Sequence, residues 1–178
     1  MRPGPFIAAA LIGCVFAVGA STSTAFAGYG PPAPPPPSGP PGFGRIIEAK
    51  TIAPSGGAIT VSVPPCVVSV DVAPKTFAKS VELVLRTFDN QGVNWKKHGL
   101  RLLCGVGITV YGQNGELTHE PFSKRLTASF RTSSVGRNTE VIDVAASGHL
   151  TEIKTSISGH TVTVHVTTDA DLAVVTKS

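Results

Sequence analysis

Residues 161–167 read Thr-Val-Thr-Val-His-Val-Thr. Val162, Val164 and Val166 share one parity, and Thr161, Thr163, His165 and Thr167 share the other. Successive side chains of a β-strand point to opposite faces. As a strand, this stretch hides three valines on one side and shows hydroxyls and an imidazole on the other. As a helix it would scatter the valines around the axis and leave no apolar stripe.

The same two-residue period continues on either side. Ser158-Gly159-His160 supplies turn chemistry in front of the run, and Leu172–Val175 follows it. Thr139–Ala145 and His149–Ile157 are weaker runs. Lys124–Arg131 sets Leu126, Ala128 and Phe130 against Thr127, Ser129 and Arg131. In Arg101–Tyr111 the residues Leu102, Cys104, Val106, Ile108 and Val110 share a parity, and Gln113-Asn114-Gly115 then marks a turn that tolerates positive φ. Ser80–Phe88 places Val81, Leu83 and Leu85 against Glu82, Val84 and Arg86. Cys66–Val72 and Ala58–Val63 alternate cleanly, with Pro64-Pro65 between them. The count is about nine strands with no helix-length run of strong helix formers. The expected fold class is all-β: an antiparallel two-sheet sandwich of immunoglobulin-like architecture, with a barrel as the alternative. Pro74–Phe77 and Asn90–Gly99 are the loops expected to carry a turn of helix.

The first part of the chain has a different composition. Arg2 and the α-amino group precede the apolar stretch Phe6–Ala20, a polar stretch Ser21–Thr24 follows, and Ala25-Phe26-Ala27 presents small-x-small residues. That order predicts a secretion signal over residues 1–27, cut between Ala27 and Gly28. The apolar stretch is shorter than the ~20 residues a membrane span needs. A rival reading lies inside it. Leu11-Ile12-Gly13-Cys14 resembles the lipobox of bacterial lipoproteins, in which the cysteine is lipidated. The short apolar run before Cys14 and the apolar residues after it weigh against that reading. Residues 28–45 form a Pro- and Gly-rich segment, with eight prolines in the seventeen residues Gly28–Gly44. It is expected to be a disordered, extended tether, and residues 46–178 the folded domain. The tether reads as a spacer or as a ligand for a proline-recognising groove.

Cys14 leaves with the signal, so Cys66 and Cys104 remain, both with core-facing parity. An oxidising compartment favours their pairing. The bridge would close a loop of about 39 residues and contribute roughly 3–4 kcal/mol through chain entropy. Two buried free thiols are the competing reading, and no Cys-x-x-Cys spacing points to redox work.

The net charge is +4 in 178 residues, and the only adjacent basic pairs are Lys96-Lys97 and Lys124-Arg125. Nucleic-acid binders concentrate charge on one face and interleave aromatics, so nucleic acid is not an expected partner. A mild surplus suits an acidic envelope polymer by long-range attraction, or simply a solvated surface. Chemistry is sparse. No Gly-x-Ser-x-Gly elbow occurs, and Ser147-Gly148-His149 reads as a turn. His160 and His165 stand five apart on a strand and so point to opposite faces. His119-Glu120 precedes Pro121 as a turn pair. Asp169-Ala170-Asp171 lacks the glycine and distant glutamate of a calcium loop. No catalytic residue, metal ligand or cofactor is expected, and the chain reads as not an enzyme. The candidate ligand-binding residues are Trp95, Lys96 and Lys97, within Gly92-Val93-Asn94-Trp95-Lys96-Lys97-His98-Gly99. An indole with basic neighbours could stack on a sugar ring; alternatively it plugs an end of the core.

Gly56-Gly57-Ala58-Ile59-Thr60, Val68-Ser69-Val70-Asp71-Val72-Ala73-Pro74-Lys75-Thr76-Phe77 and Val81-Glu82-Leu83 together resemble the β-sandwich module of ankyrins, netrin receptors and zonula-occludens proteins and its exported bacterial relatives. Gly115-Glu116-Leu117 through Phe122-Ser123-Lys124 resembles that module's strand into a crossover. The resemblance covers about half of the mature chain. The chain departs from it by lacking a glycine in the proline corner and by carrying the cysteine pair. It implies a non-enzymatic structural or interaction module and assigns no functional residue. The functional expectation is a secreted or envelope-associated protein with a structural or binding role. A cell-wall polymer or another envelope protein is the expected kind of partner. The alternatives are a lipoprotein anchored through Cys14, a carbohydrate or cell-wall module acting through Trp95, and a secreted inhibitor presenting a loop.

Overall fold

The computed structural model describes residues 43–88, 93–118 and 121–177. The secretion signal, the lipobox with Cys14, the tether up to residue 42 and the His119-Glu120 pair lie outside the described residues.

The described chain is all β apart from one 3-10 turn. Eleven strands occur among the described residues: β1 Phe43–Ile52, β2 Gly57–Val63, β3 Cys66–Val72, β4 Val81–Phe88, β5 Leu100–Tyr111, β6 Leu126–Arg131, β7 Thr139–Val144, β8 Leu150–Ile153, β9 Thr155–Ser158, β10 Thr161–Val166 and β11 Ala170–Lys177. The 3-10 turn is Trp95–His98. One sheet has the order β1-β4-β5-β11-β7-β8 and the other β2-β3-β6-β10-β9. Every neighbouring pair is antiparallel.

Nine strands were expected and eleven are found, for two local reasons. The first is β1, which starts at Phe43, inside the proline- and glycine-rich stretch. Its pairing with β4 shifts register between Phe43 and Ile46 and again between Ile46 and Glu48, so its apolar residues do not alternate cleanly. The second is the run His149–Ile157, which divides at Lys154. β8 pairs with β7 in one sheet and β9 with β10 in the other. The chain thus steps from sheet to sheet at this flank. At the other flank it does so between β1 and β2, through the turn 53–56, where Gly56 has φ 83° and its N–H donates to the Ala53 carbonyl at 2.9 Å. A Cβ at Gly56 would lie 2.4 Å from the Val72 carbonyl oxygen, so the turn requires glycine both for φ and for room.

The core lies between the sheets. β3 buries Cys66, Val68, Val70 and Val72, and β10 buries Val162, Val164 and Val166, in the predicted parity. These meet Leu83, Leu85, Val106, Ile108, Leu172 and Val174 from the six-stranded sheet. Burying each such side chain is worth about 1.5–3 kcal/mol. Cys66 and Cys104 form a disulfide with Cα atoms 6.2 Å apart. The bridge runs from β3 to β5, so it fastens one sheet to the other.

The parity expected along β5 fails at one point. The pairing of β11 with β5 shifts register between Val174 and Val175: Val174 faces Cys104 while Val175 faces Leu102. Leu103 is the extra residue of this bulge and packs toward the inter-sheet core. Leu102 instead joins a second apolar cluster, with Trp95, Ile142, Ala173, Val175, Phe88 and Leu100. That cluster lies on the outer face of the six-stranded sheet, because Ala173 and Val175 alternate with the inward Leu172 and Val174. Pro74–Phe77, expected to carry helix, is a β-turn closed by the Thr76 N–H to the Ala73 carbonyl at 3.2 Å. The other expected helical loop holds the turn at Trp95.

Candidate functional site

The turn holding the candidate residues Trp95, Lys96 and Lys97 is shaped by its ends. The Asn94 side-chain oxygen accepts from the Lys97 N–H at 3.1 Å. Gly99 ends the turn with φ 67° and donates its N–H to the Lys96 carbonyl at 3.0 Å. The sequence carries the residue types these positions ask for: an Asx cap and a left-handed glycine. The side chains then separate. Lys96, Lys97 and His98 are exposed, while Trp95 is 7% exposed. The indole lies over the outer face of the six-stranded sheet with its centroid 6.2 Å from that of Phe88. Phe88 in turn covers Gly105: a Cβ there would fall 2.6 Å from the Phe88 ring. Stacking of Trp95 on a sugar would therefore require the turn to lift away from Phe88, whereas the two lysines are presented without rearrangement.

The opposite end of the sandwich holds a cleft of about 780 Å³, lined chiefly by Pro54, Phe77, Ala78, Leu117, Pro121 and Phe122. Phe77 and Phe122 meet edge to face with centroids 5.3 Å apart, an arrangement the aromatic quadrupole favours. Hydrogen bonds hold the two lips together. The Ser123 hydroxyl lies 2.6 Å from the Thr76 carbonyl oxygen and 3.1 Å from that of Lys75, and Lys124 Nζ donates to the Pro74 carbonyl at 2.6 Å. Lys75 and Glu116 add a charge of each sign to the lining. Lys75 has φ 63°, left-handed territory that disfavours any side chain. Its N–H donates to the Pro54 carbonyl at 2.7 Å, which helps to hold it there. The apolar lining and two charged lip residues suit binding of a ligand with apolar bulk. Sequence reasoning did not find this cleft, since its lining comes from three separated loops. The signals available were the unusual Pro74-Lys75 turn and the two phenylalanines outside the strand alternation.

A buried polar group occupies the outer face of the six-stranded sheet. Arg86 is 5% and Tyr111 1% exposed, and Arg86 Nη2 donates to the Tyr111 hydroxyl at 3.0 Å. Arg86 Nη1 also reaches the Gly44 carbonyl at 3.5 Å, tying β4 to the start of β1. Arg86 faces Gly107, and Gly107 faces the buried Asp171, so the three stand in one row across β4, β5 and β11. Alternation along β4 sets Arg86 on the face away from Leu83 and Leu85, and that face is covered here too. Asp143, on β7 beside Asp171, accepts the Asp171 N–H at 3.1 Å. Burial pushes the Asp143 carboxyl above the ordinary 3.8, and backbone N–H groups of Asp171 and Val144 partly offset that.

The other sequence candidates fall apart in space. Asp169 accepts from the Val110 N–H at 2.9 Å, and Asp171 lies in the buried row, so the Asp169-Ala170-Asp171 pair is spent on the sheet. His165 shares a hydrogen bond of 3.2 Å with Thr127 on the exposed face of the five-stranded sheet, and His160 sits exposed in a turn. Gly148 closes the turn after β7, with φ 80° and its N–H 2.7 Å from the Ala145 carbonyl. Among the described residues, no three His, Cys, Asp or Glu side chains gather where a metal ion could be held. No helix among the described residues is long and apolar enough to cross a membrane. No known family model matches the chain, and no curated protein matches it.

Proposed function

We propose that the chain is an exported, non-catalytic β-sandwich protein, secreted or held at the cell envelope, with a structural or binding role. The observation that carries the reading is the Cys66–Cys104 bridge between the two sheets. Disulfides persist in oxidising compartments and are rare where glutathione and thioredoxin keep thiols reduced. The order of charged, apolar and small residues over 1–27 supports the same destination. The apolar cleft at Phe77 and Phe122 and the exposed Lys96 and Lys97 support binding over chemistry: one offers apolar contact, the other charge. An immunoglobulin-like relationship, through the module of ankyrins and netrin receptors, belongs to this proposal. The proline corner at Ala73–Phe77 and the two-sheet core support it.

The test is the mass of the mature N-terminus in cell fractions of the native host. The reading expects Gly28 as first residue, in the medium or wall fraction. A lipidated Cys14 in the membrane fraction would replace it with the lipoprotein reading, and an intact Met1 in the soluble cell interior would overturn export altogether.

A further inference from the structure

Basic residues far apart in the sequence meet at one end of the sandwich. β1 begins there, and Arg45 sits beside the end of β4, where its carbonyl oxygen lies 3.5 Å from the Thr87 hydroxyl. The next residue of β4, Phe88, packs on Trp95, which brings the exposed Lys96 and Lys97 to the same end. Arg101 follows on β5 and pairs with Thr176 of β11. Asn138 accepts the Lys177 N–H at 3.2 Å, and so places Arg137 beyond β11. Arg45, Lys96, Lys97, Arg101 and Arg137 are all exposed. They lie along the end of the sheet from β1 to the start of β7, four strand spacings or about 19 Å. Among the described residues, Glu140 at this end pairs with Lys177, Glu152 also acts on Lys177, and the exposed Glu48 stands three residues from Arg45 on β1. The opposite end mixes Lys75, Lys79, Lys124 and Arg125 with Glu82, Glu116 and Asp169, and there Lys124 is held by a carbonyl.

We infer that this basic end is a docking surface for a linear, phosphate-bearing polyanion of the envelope. The inference rests on the export reading above and names the partner class for it. A row of charges about 19 Å long matches an extended polymer with repeated anionic groups better than a single small anion, which would engage one or two of them. Among the described side chains of this end, Trp95 and Phe88 are packed on each other and on the sheet rather than offered for insertion into a bilayer. Recognition is therefore electrostatic, and salt should weaken it steeply.

The test is retention of the full exported chain on immobilised long-chain inorganic polyphosphate, measured across a salt series. A variant carrying Lys96→Glu, Lys97→Glu and Arg101→Glu is compared with one carrying Lys79→Glu, Arg125→Glu and Lys154→Glu, which has the same net charge. All six positions are exposed, and circular dichroism checks that both variants fold. The inference expects the first variant to lose affinity by at least about tenfold while the second changes by less than about threefold. Equal losses would reduce the effect to net charge and overturn the surface. No retention of the parent chain would overturn it too. Binding to phosphatidylglycerol vesicles without polyphosphate retention would replace the polymer with a membrane. Each of these outcomes leaves the mature N-terminus unchanged, so the export reading stands or falls separately.

Discussion

Replacing Gly105 by alanine tests the packing of the outer cluster against a common expectation of the opposite sign. Gly105 has no positive φ, and in such places a Gly→Ala change ordinarily stabilises by about 0.4–1 kcal/mol, because it stiffens the unfolded chain. Here the added Cβ would lie 2.6 and 2.7 Å from Phe88 carbons and 2.9 Å from the Leu172 carbonyl oxygen. The carbonyl belongs to β11, which is hydrogen-bonded on both sides, so it cannot retreat without disturbing two ladders. Phe88 can swing away, but then it uncovers Trp95. Overpacking costs about 1–3 kcal/mol, and the lost aromatic contact adds about 0.5–1.5 kcal/mol. After the entropic gain, the net destabilisation should be about 2–3 kcal/mol. Urea unfolding followed by tryptophan fluorescence is the assay, and the chain has a single tryptophan, so the signal reports this site alone. The native emission should also shift red. In a cycle with Phe88→Ala, the two changes should couple by about 1 kcal/mol or more, since the second removes what the first collides with. A Gly105→Ala variant as stable as the parent, with unchanged emission, would refute the reasoning.

Three further changes follow from the same structure. Replacing Cys66 and Cys104 together by alanine removes a cross-link between residues 38 apart in the sequence, and urea unfolding should show a loss of about 4 kcal/mol from unfolded-chain entropy; a loss below about 1 kcal/mol would contradict it. Lys75→Gly relieves a left-handed backbone worth about 1–2 kcal/mol and gives back about 0.5–1 kcal/mol of chain entropy, so thermal unfolding should show a small gain, and a loss would show that the Lys75 side chain itself holds the corner. Asp143 has a folded-state pKa above its ordinary 3.8; from that value upward the folded form holds more protons than the unfolded form, so stability falls as pH rises through the raised pKa. Asp143→Asn keeps an acceptor for the Asp171 N–H and should flatten that decline, an outcome read by denaturant unfolding at several pH values just above 3.8.

The sequence was most legible where one face of a strand is dry and the other wet. β3 and β10 alternate so strictly that Val68, Val70, Val162 and Val164 could be assigned to the core by parity alone. Both cysteines were placed facing the core for the same reason, and the bridge between them forms as that placement anticipated. Legibility failed where both faces are covered. Val84 and Arg86 alternate with Leu83 and Leu85, and all four are buried; alternation carries no information when the outer face is dry too. It also failed at irregularities of pairing. Leu102 has the parity of Cys104, but the bulge at Leu103 turns it outward, and nothing local to Leu102-Leu103-Cys104 announces a bulge. The break at Lys154 is likewise set by which strands lie beside β8 and β9, not by the residue itself. Trp95 was visible as a singular residue, yet its burial depends on Phe88 and on the room that Gly105 leaves. The cleft at Phe77 and Phe122 and the basic end from Arg45 to Arg137 are products of tertiary assembly, and neither occupies a contiguous stretch.

The Cys66–Cys104 bond that fastens the two sheets is the feature on which the proposed export rests. Peptide mapping of the protein recovered from the native host, with thiols alkylated at harvest and the digest kept non-reduced, tests it most directly. The expected product is a cross-linked pair of peptides containing Cys66 and Cys104, with neither residue alkylated. Alkylation of both cysteines in the folded, harvested protein would contradict it.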